Sequence, residues 1–156
     1  FEAACADHKN FVNCVRFSPD GTKYVSVSGD KKILAFDAKT GRKTKEICDG
    51  NSKTIKKMNH HSGSIYEVCW NKDGTQFITA SADKTCKVWD FETGELVHTF
   101  KVADKPQIED MQVSCLWMDG FILSVSLSGK INYFDPNLKE EKPIKIITGH
   151  KKSIAD

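Results

Sequence analysis

Residues 81–94 read "SADKTCKVWDFETG", and residues 28–41 read "SGDKKILAFDAKTG". In the later copy a Ser, an Asp and a Trp stand close together, with His61 upstream. Those residue types suit a Ser-His-Asp hydrolase, and they equally suit a hydrogen-bonded brace inside a β fold. Repetition decides between the two. His8 and His61, Asp20 and Asp73, Asp30 and Asp83, Asp37 and Asp90, and Gly41 and Gly94 all stand 53 residues apart. An active site needs no copy in every repeat, and no glycine-flanked nucleophile elbow is present. His8, Ser28 and Asp30 therefore read, like His61, Ser81, Asp83 and Trp89, as a structural network. No catalytic residue is assigned.

Each unit predicts four strands. The first carries apolar residues read as inward-facing: Val12, Val15 and Phe17 in one copy, Ile65, Val68 and Trp70 in the next. A "SPDG" or "NKDG" turn follows, where Gly accepts a positive φ and Pro19 presets the first copy. "TKYVSVS" or "TQFITAS" makes the second strand, and a tight turn at Asp30 or Asp83 leads into the third, "KILAFD" or "TCKVWD". The fourth is clear only in the second copy, as "ELVHTF". Four short strands per repeat is the pattern of a propeller blade.

Such repeats usually run to about 40–45 residues. The excess is placed in "KEICDGNSKTIKKMNH", residues 45–60, read as a polar insertion. A degenerate third copy runs from "VSCLWMDG" through "FILSVSLSGKINYFD", with Asp135 standing 45 residues after Asp90. "GHKKSIAD" opens a fourth. The predicted fold is all-β, a WD40-type β-propeller of about three blades of an incomplete ring. Repeats are placed at 8–53, 61–100 and 108–148, with a further start at 149–156. A chain that begins on Phe1 and stops inside this pattern is expected to be a fragment, and an open arc with bare strand edges to be sticky or unstable alone. Phe36 takes the place of Trp89 in the first unit. In the third, Ser128 and Phe134 replace the Asp and the Trp and no His is evident, so that blade is expected to rely on packing.

Composition fits a globular chain of 156 residues with one core: 39% hydrophobic, 28% charged, net charge +2. That balance argues against a dedicated nucleic-acid binder, and no apolar run reaches the length of a membrane helix. No secretory leader is evident. The six cysteines form no C-x-x-C pair and mostly sit among apolar residues, which suits reduced thiols in a cytosolic protein rather than disulfides. His60 and His61 are adjacent but lack zinc-site spacing, no calcium loop or phosphate-cradling glycine motif appears, and no cofactor is assigned.

Two surface features remain. Lys39, Arg42, Lys43, Lys45, Lys53, Lys56 and Lys57 face only Glu46 and Asp49 between residues 39 and 57. They read as a solvated hairpin and loop, with a basic rim for an acidic partner as the sharper alternative. Phe11 stands where the later units have Ser64 and Ser153. It is either an exposed partner anchor or a side chain tucked against a neighbouring blade.

The wording of the copies goes further than a generic repeat. "DHKNFVNCVRFSPDGTKYVSVSGD", "IYEVCWNKDGTQFITASADKTCKVWD" and "ILSVSLSGKINYFDPN" together resemble the actin-interacting protein 1 family. That resemblance implies paired propellers set like an open clamshell, with this chain in the N-terminal one. It also implies binding to actin filaments and ADF/cofilin, disassembly of cofilin-decorated filaments without a catalytic site, and a place in the cytoplasm at the actin cytoskeleton. Lys9, Asn10 and Phe11 are the residues it marks for partner binding. The alternative is a generic WD40 scaffold or substrate-receptor propeller in another complex, from the same fold.

Overall fold

A computed structural model describes residues 7–49 and 60–149. Among them, strands β1 (Val12–Phe17), β2 (Lys23–Ser28), β3 (Lys32–Asp37) and β4 (Lys43–Asp49) form one antiparallel sheet in chain order. β5 (Ile65–Trp70), β6 (Gln76–Ser81), β7 (Thr85–Asp90) and β8 (Leu96–Lys101) form the second. β9 (Gln112–Met118), β10 (Phe121–Ser126), β11 (Ile131–Phe134) and β12 (Lys145–Ile147) form the third. These are three propeller blades. A short 3-10 turn at Ile108–Asp110 leads into β9.

The repeat landmarks are turn chemistry. Thr40 donates its N–H and hydroxyl to Asp37 at 2.7 Å each, and Thr93 does the same to Asp90 at 2.8 and 3.1 Å. Gly41 and Gly94 then leave those turns at φ 68° and 70°, a conformation that penalises any Cβ.

Two seams hold the blades together. Val25, Val27, Ile33, Ala35 and Cys48 of the first blade pack on Ile65, Val68, Trp70, Phe77, Trp89 and Phe91 of the second. Ile78, Ala80, Cys86, Val88 and Phe100 leave the opposite face of the second blade to meet Cys115, Ile122 and Phe134 of the third. β6 and β7 thus bury both faces, and only Thr79 and Lys87 interrupt the apolar residues of their cores. Polar ties close the inner ends. Trp70 donates its indole N–H to Arg16 O at 3.1 Å, and Asn13 its amide to Ile65 O at 2.8 Å. Glu67 spans both seams: it pairs with Arg16 at 2.8 Å and accepts from the Ser114 hydroxyl and from Cys115 N–H.

Three expectations are corrected here. Val12, Val15 and Phe17 do not point into a core: they are 50%, 42% and 62% exposed. Their counterparts Val68 and Trp70 are buried because the first blade covers that face of the second. No blade among the described residues covers the matching face of the first. Second, the excess of the first repeat does not begin at Lys45. Residues 43–49 are a fourth strand, its register on β3 shifted twice, with Ile47 and Cys48 buried, so the span read as an insertion starts inside β4. Third, the third blade does not rely on packing alone, as its polar interior shows below. The remainder of the insertion, with Lys53, Lys56 and Lys57, lies outside the described residues, as does the fourth repeat start beyond Gly149.

Gly63 shows how tightly the loops dock. A Cβ built there lies 2.7 Å from the backbone nitrogen of Asp83. Gly63→Ala is expected to destabilise by about 1–3 kcal/mol through overpacking against backbone. Urea unfolding checks this, and an unchanged midpoint overturns it.

Candidate functional site

His61 enters β5 from the preceding loop, with its ring closed to solvent beside Trp89. Its Nδ1 lies 2.7 Å from Asp83 Oδ2 and its Nε2 2.7 Å from the Thr79 hydroxyl. Trp89 donates its indole N–H to the same hydroxyl at 2.9 Å. One proton assignment serves all three side-chain contacts, with the Thr79 hydroxyl proton on the 2.7 Å contact to His61 rather than on Lys87 O at 3.3 Å. Indole N–H donates to Thr79 Oγ1, the hydroxyl donates to His61 Nε2, and Nδ1–H donates to the Asp83 carboxylate. Asp83 also accepts from Ser62 N–H at 3.0 Å and from the Thr85 N–H and hydroxyl at 3.0 and 2.6 Å.

Burial holds His61 below its ordinary pKa, against the pull of Asp83. Burial pushes the Asp83 carboxyl up, but the hydrogen bonds from His61, Thr85 and Ser62 prevail and leave it well below the usual carboxylate range.

Ser81 joins the network beside this relay rather than within it. Its hydroxyl donates to Gly63 O at 3.3 Å and accepts from Asp83 N–H at 3.1 Å, so it fastens the loop and the turn but does not bond His61. The first blade repeats the arrangement. His8 meets Asp30 at 3.1 Å and the Ser26 hydroxyl at 2.7 Å, while Ser28 bonds Asn10 O and Asp30 N–H. Thr79 and Ser26 are thus functional parts of the network that the repeat comparison does not single out. The available signal was strand alternation: each lies two residues before its Ser and so shares its face.

The third blade carries a substitute. Buried Gln112 donates its amide to Asp110 O at 2.6 Å and to the Ser126 hydroxyl at 3.1 Å. Its carbonyl accepts from Ser124 at 2.5 Å, and Asn132 donates to the Ser124 and Ser126 hydroxyls at 3.2 and 3.0 Å. Gln112 begins the blade's inner strand, and its amide supplies the donor and acceptor that an imidazole supplies in the other blades.

The network positions a surface loop. Lys9 N–H donates to Asp30 Oδ2 at 2.8 Å, and Gly29 N–H donates to Phe11 O at 3.0 Å. Asn10 turns its carbonyl oxygen back onto Phe11 N–H at 2.8 Å, and its amide lies against Gly29. Phe11 itself is 84% exposed. It is not tucked against a blade among the described residues. Of the basic stretch, Lys43 pairs with Asp7 at 3.0 Å, while Lys45 bonds Phe91 O and Glu92 O and lies over the Phe91 ring.

Among the described residues, no group of three or more His, Cys, Asp or Glu side chains is placed to hold a metal ion. No helix there is long and apolar enough to cross a membrane. Cys14, Cys48, Cys69, Cys86 and Cys115 are free thiols, and burial pushes Cys86 up to about 12. A thiol so shifted is unreactive at neutral pH.

Comparison with known proteins places this geometry. Residues 2–37 and 52–90 match the WD domain, G-beta repeat. WD repeat-containing protein 1 of Xenopus tropicalis is 46% identical over 154 residues, covering 99% of this chain and 24% of that relative. Its Mus musculus counterpart is 44% identical with the same coverage. Actin-interacting protein 1 of Drosophila melanogaster is 37% identical over 157 residues, 99% of this chain and 23% of that protein. The chain thus spans about a quarter of the length of the curated relatives it matches. The RRP9 WD40 repeats superpose with a TM-score of 0.79 at 17% identity, over 95% of this chain and 42% of theirs. The structure of U3-55K superposes with a TM-score of 0.78 at 18% identity and the same coverage. These two share the fold. The chain thus carries WD repeats and is similar along nearly its whole length to WD repeat-containing protein 1 and actin-interacting protein 1.

Proposed function

We propose that this chain is part of an actin- and ADF/cofilin-binding WD-repeat protein that promotes disassembly of cofilin-decorated filaments. The observation that carries the reading is 37% identity, over 99% of the chain, to a protein named for its interaction with actin. The exposed Phe11, held on a loop braced by His8 and Asp30, supports a docking point there. Lys9 supplies charge at the rim of that point, and Asn10 sets the backbone that presents the ring. The mechanism is recognition without bond chemistry. A propeller that grips a cofilin-altered filament more tightly than a bare one shifts the filament toward breakage by that difference in affinity. The relay of His61, Thr79 and Asp83 is sealed from solvent and serves the scaffold, so neither enzyme activity nor a cofactor enters this reading. Its setting is the cytoplasm, at the actin cytoskeleton.

Co-sedimentation with actin filaments, with and without cofilin, tests it on the whole protein and its Phe11→Ala variant. The expected result is cofilin-dependent pelleting that the substitution weakens by about tenfold, the scale of an aromatic anchor. Stability stays within about 0.5 kcal/mol of wild type, since an exposed side chain leaves no cavity. Wild type that stays in the supernatant under both conditions overturns the reading and leaves a WD40 scaffold for another assembly.

A further inference from the structure

The tight turn between the second and third strands occurs once per blade, and its left-handed position is filled three ways. Gly129 holds it in the third blade at φ 81°, Lys84 in the second at φ 72° and Lys31 in the first at φ 70°. Glycine takes this conformation freely, whereas a lysine there is disfavoured by its Cβ. In the second blade the lysine has a use within the fold, because the Lys84 ammonium donates to Pro106 O at 3.1 Å. Lys31 has no such use: among the described residues its ammonium makes no hydrogen bond or ion pair, and neither does that of Lys9. A disfavoured residue whose charge serves nothing inside the molecule points outward.

Its surroundings say toward what. Lys31 N–H bonds Ser28 O, Gly29 N–H bonds Phe11 O and Lys9 N–H bonds Asp30, so Lys9, Phe11 and Lys31 leave adjacent backbone segments of one tip. The nearby carboxylates among the described side chains are already committed. Asp30 is taken by His8 and by the N–H groups of Lys9 and Lys32, Asp7 by Lys43, and Glu46 by Lys32 and Lys43. Two ammonium groups that make no bond among the described residues thus belong to the same tip as a ring that is 84% exposed, with Val12 beside it at 50%. We infer that this tip docks an acidic protein segment whose apolar side chain covers Phe11 while carboxylates on either side take Lys9 and Lys31. The inference rests on the actin and cofilin reading, and adds the chemistry of the contact and the residue that selects for it. A protein segment fits because the tip combines exposed apolar side chains, Phe11 and Val12, with two cationic ones.

Pelleting with cofilin-decorated actin filaments, at rising KCl, tests this on the whole protein. Lys31→Gly is expected to weaken binding about two- to fivefold at low salt, with the gap closing as salt rises. Lys31→Glu is expected to weaken it by more than about tenfold through repulsion. The thermal midpoint of Lys31→Gly stays equal to wild type or rises, because glycine fits the left-handed position, so lost binding cannot be lost folding. Lys84→Gly, whose charge is spent inside the fold, binds as wild type. Wild type that pellets while Lys31→Gly and Lys31→Glu bind equally well overturns the inference and leaves the actin reading standing. Wild type that does not pellet overturns both.

Discussion

Trp89→Ala is expected to lower the free energy of unfolding by about 3–5 kcal/mol. The indole is 1% exposed in the seam between the first and second blades, and its N–H ends the relay through Thr79 to His61. Truncation opens a cavity in that seam and strips one donor from a buried hydroxyl. The first blade separates the two contributions, because Phe36 fills the matching place there with no indole to donate. Trp89→Phe keeps most of the volume and is expected to lose only about 1 kcal/mol, the scale of one neutral hydrogen bond. Urea unfolding at pH 7 measures both. Equal losses for Ala and Phe overturn the volume account and place the whole effect in the hydrogen bond.

Acidification is the second large effect, and it is expected in two stages. His61 is held below its ordinary pKa of 6.5 by burial, with Lys87 and His60 adding to the depression against Asp83. Below pH 6.5 the unfolded chain therefore binds a proton that the folded chain refuses, and stability falls as the pH drops. The slope approaches at most about 1.4 kcal/mol per pH unit, the value for one proton of difference. Asp83 acts in the same direction over a lower window. Its carboxyl sits well below the ordinary 3.8, so the stability it contributes is present above that value and is lost as the pH falls beneath it. Urea midpoints at pH 7, 5 and 2.5 show both stages. Asp83→Asn is less stable at pH 7 but loses less between pH 5 and 2.5, and a variant with the wild-type slope in that interval overturns the assignment.

The sequence shows the blades clearly and the seams poorly, for a physical reason. A landmark such as Asp37 with Thr40 and Gly41 is local chemistry: a carboxylate, its two donors and a left-handed residue within five positions. It survives in any copy whose chain makes the same turn. Exposure is not local. Val15 and Val68 occupy equivalent strand positions, yet one is 42% exposed and the other fully buried, because a blade stands against only one of them. The candidate site divides in the same way. His61 and Asp83 are visible because the copies repeat them. Thr79 is hidden because its counterpart is Ser26, and one hydroxyl replacing another leaves no identity to match. Gln112 escapes for the opposite reason: an amide stands in for an imidazole, so the interior of the third blade keeps its polarity while losing its signature.

The seams are directional. Each blade offers one kind of face to its predecessor, as with Val68 and Trp70, and another to its successor, as with Ile78 and Val88. Contacts between unlike faces are heterologous, so a single such contact always leaves one face of each partner bare. Adding a blade to such an arc buries one face and exposes the next, and the number of bare faces never falls. It reaches zero only when the accumulated rotation brings the last blade round to the first. The Val15 and Phe17 face and the Leu116 and Met118 face are the two unlike surfaces this geometry leaves bare among the described residues. Copies of the arc alone satisfy them by joining head to tail, in a closed ring where the summed rotation returns to its start and in open chains where it does not, which makes ring closure, within one chain or between copies, the condition for a discrete particle.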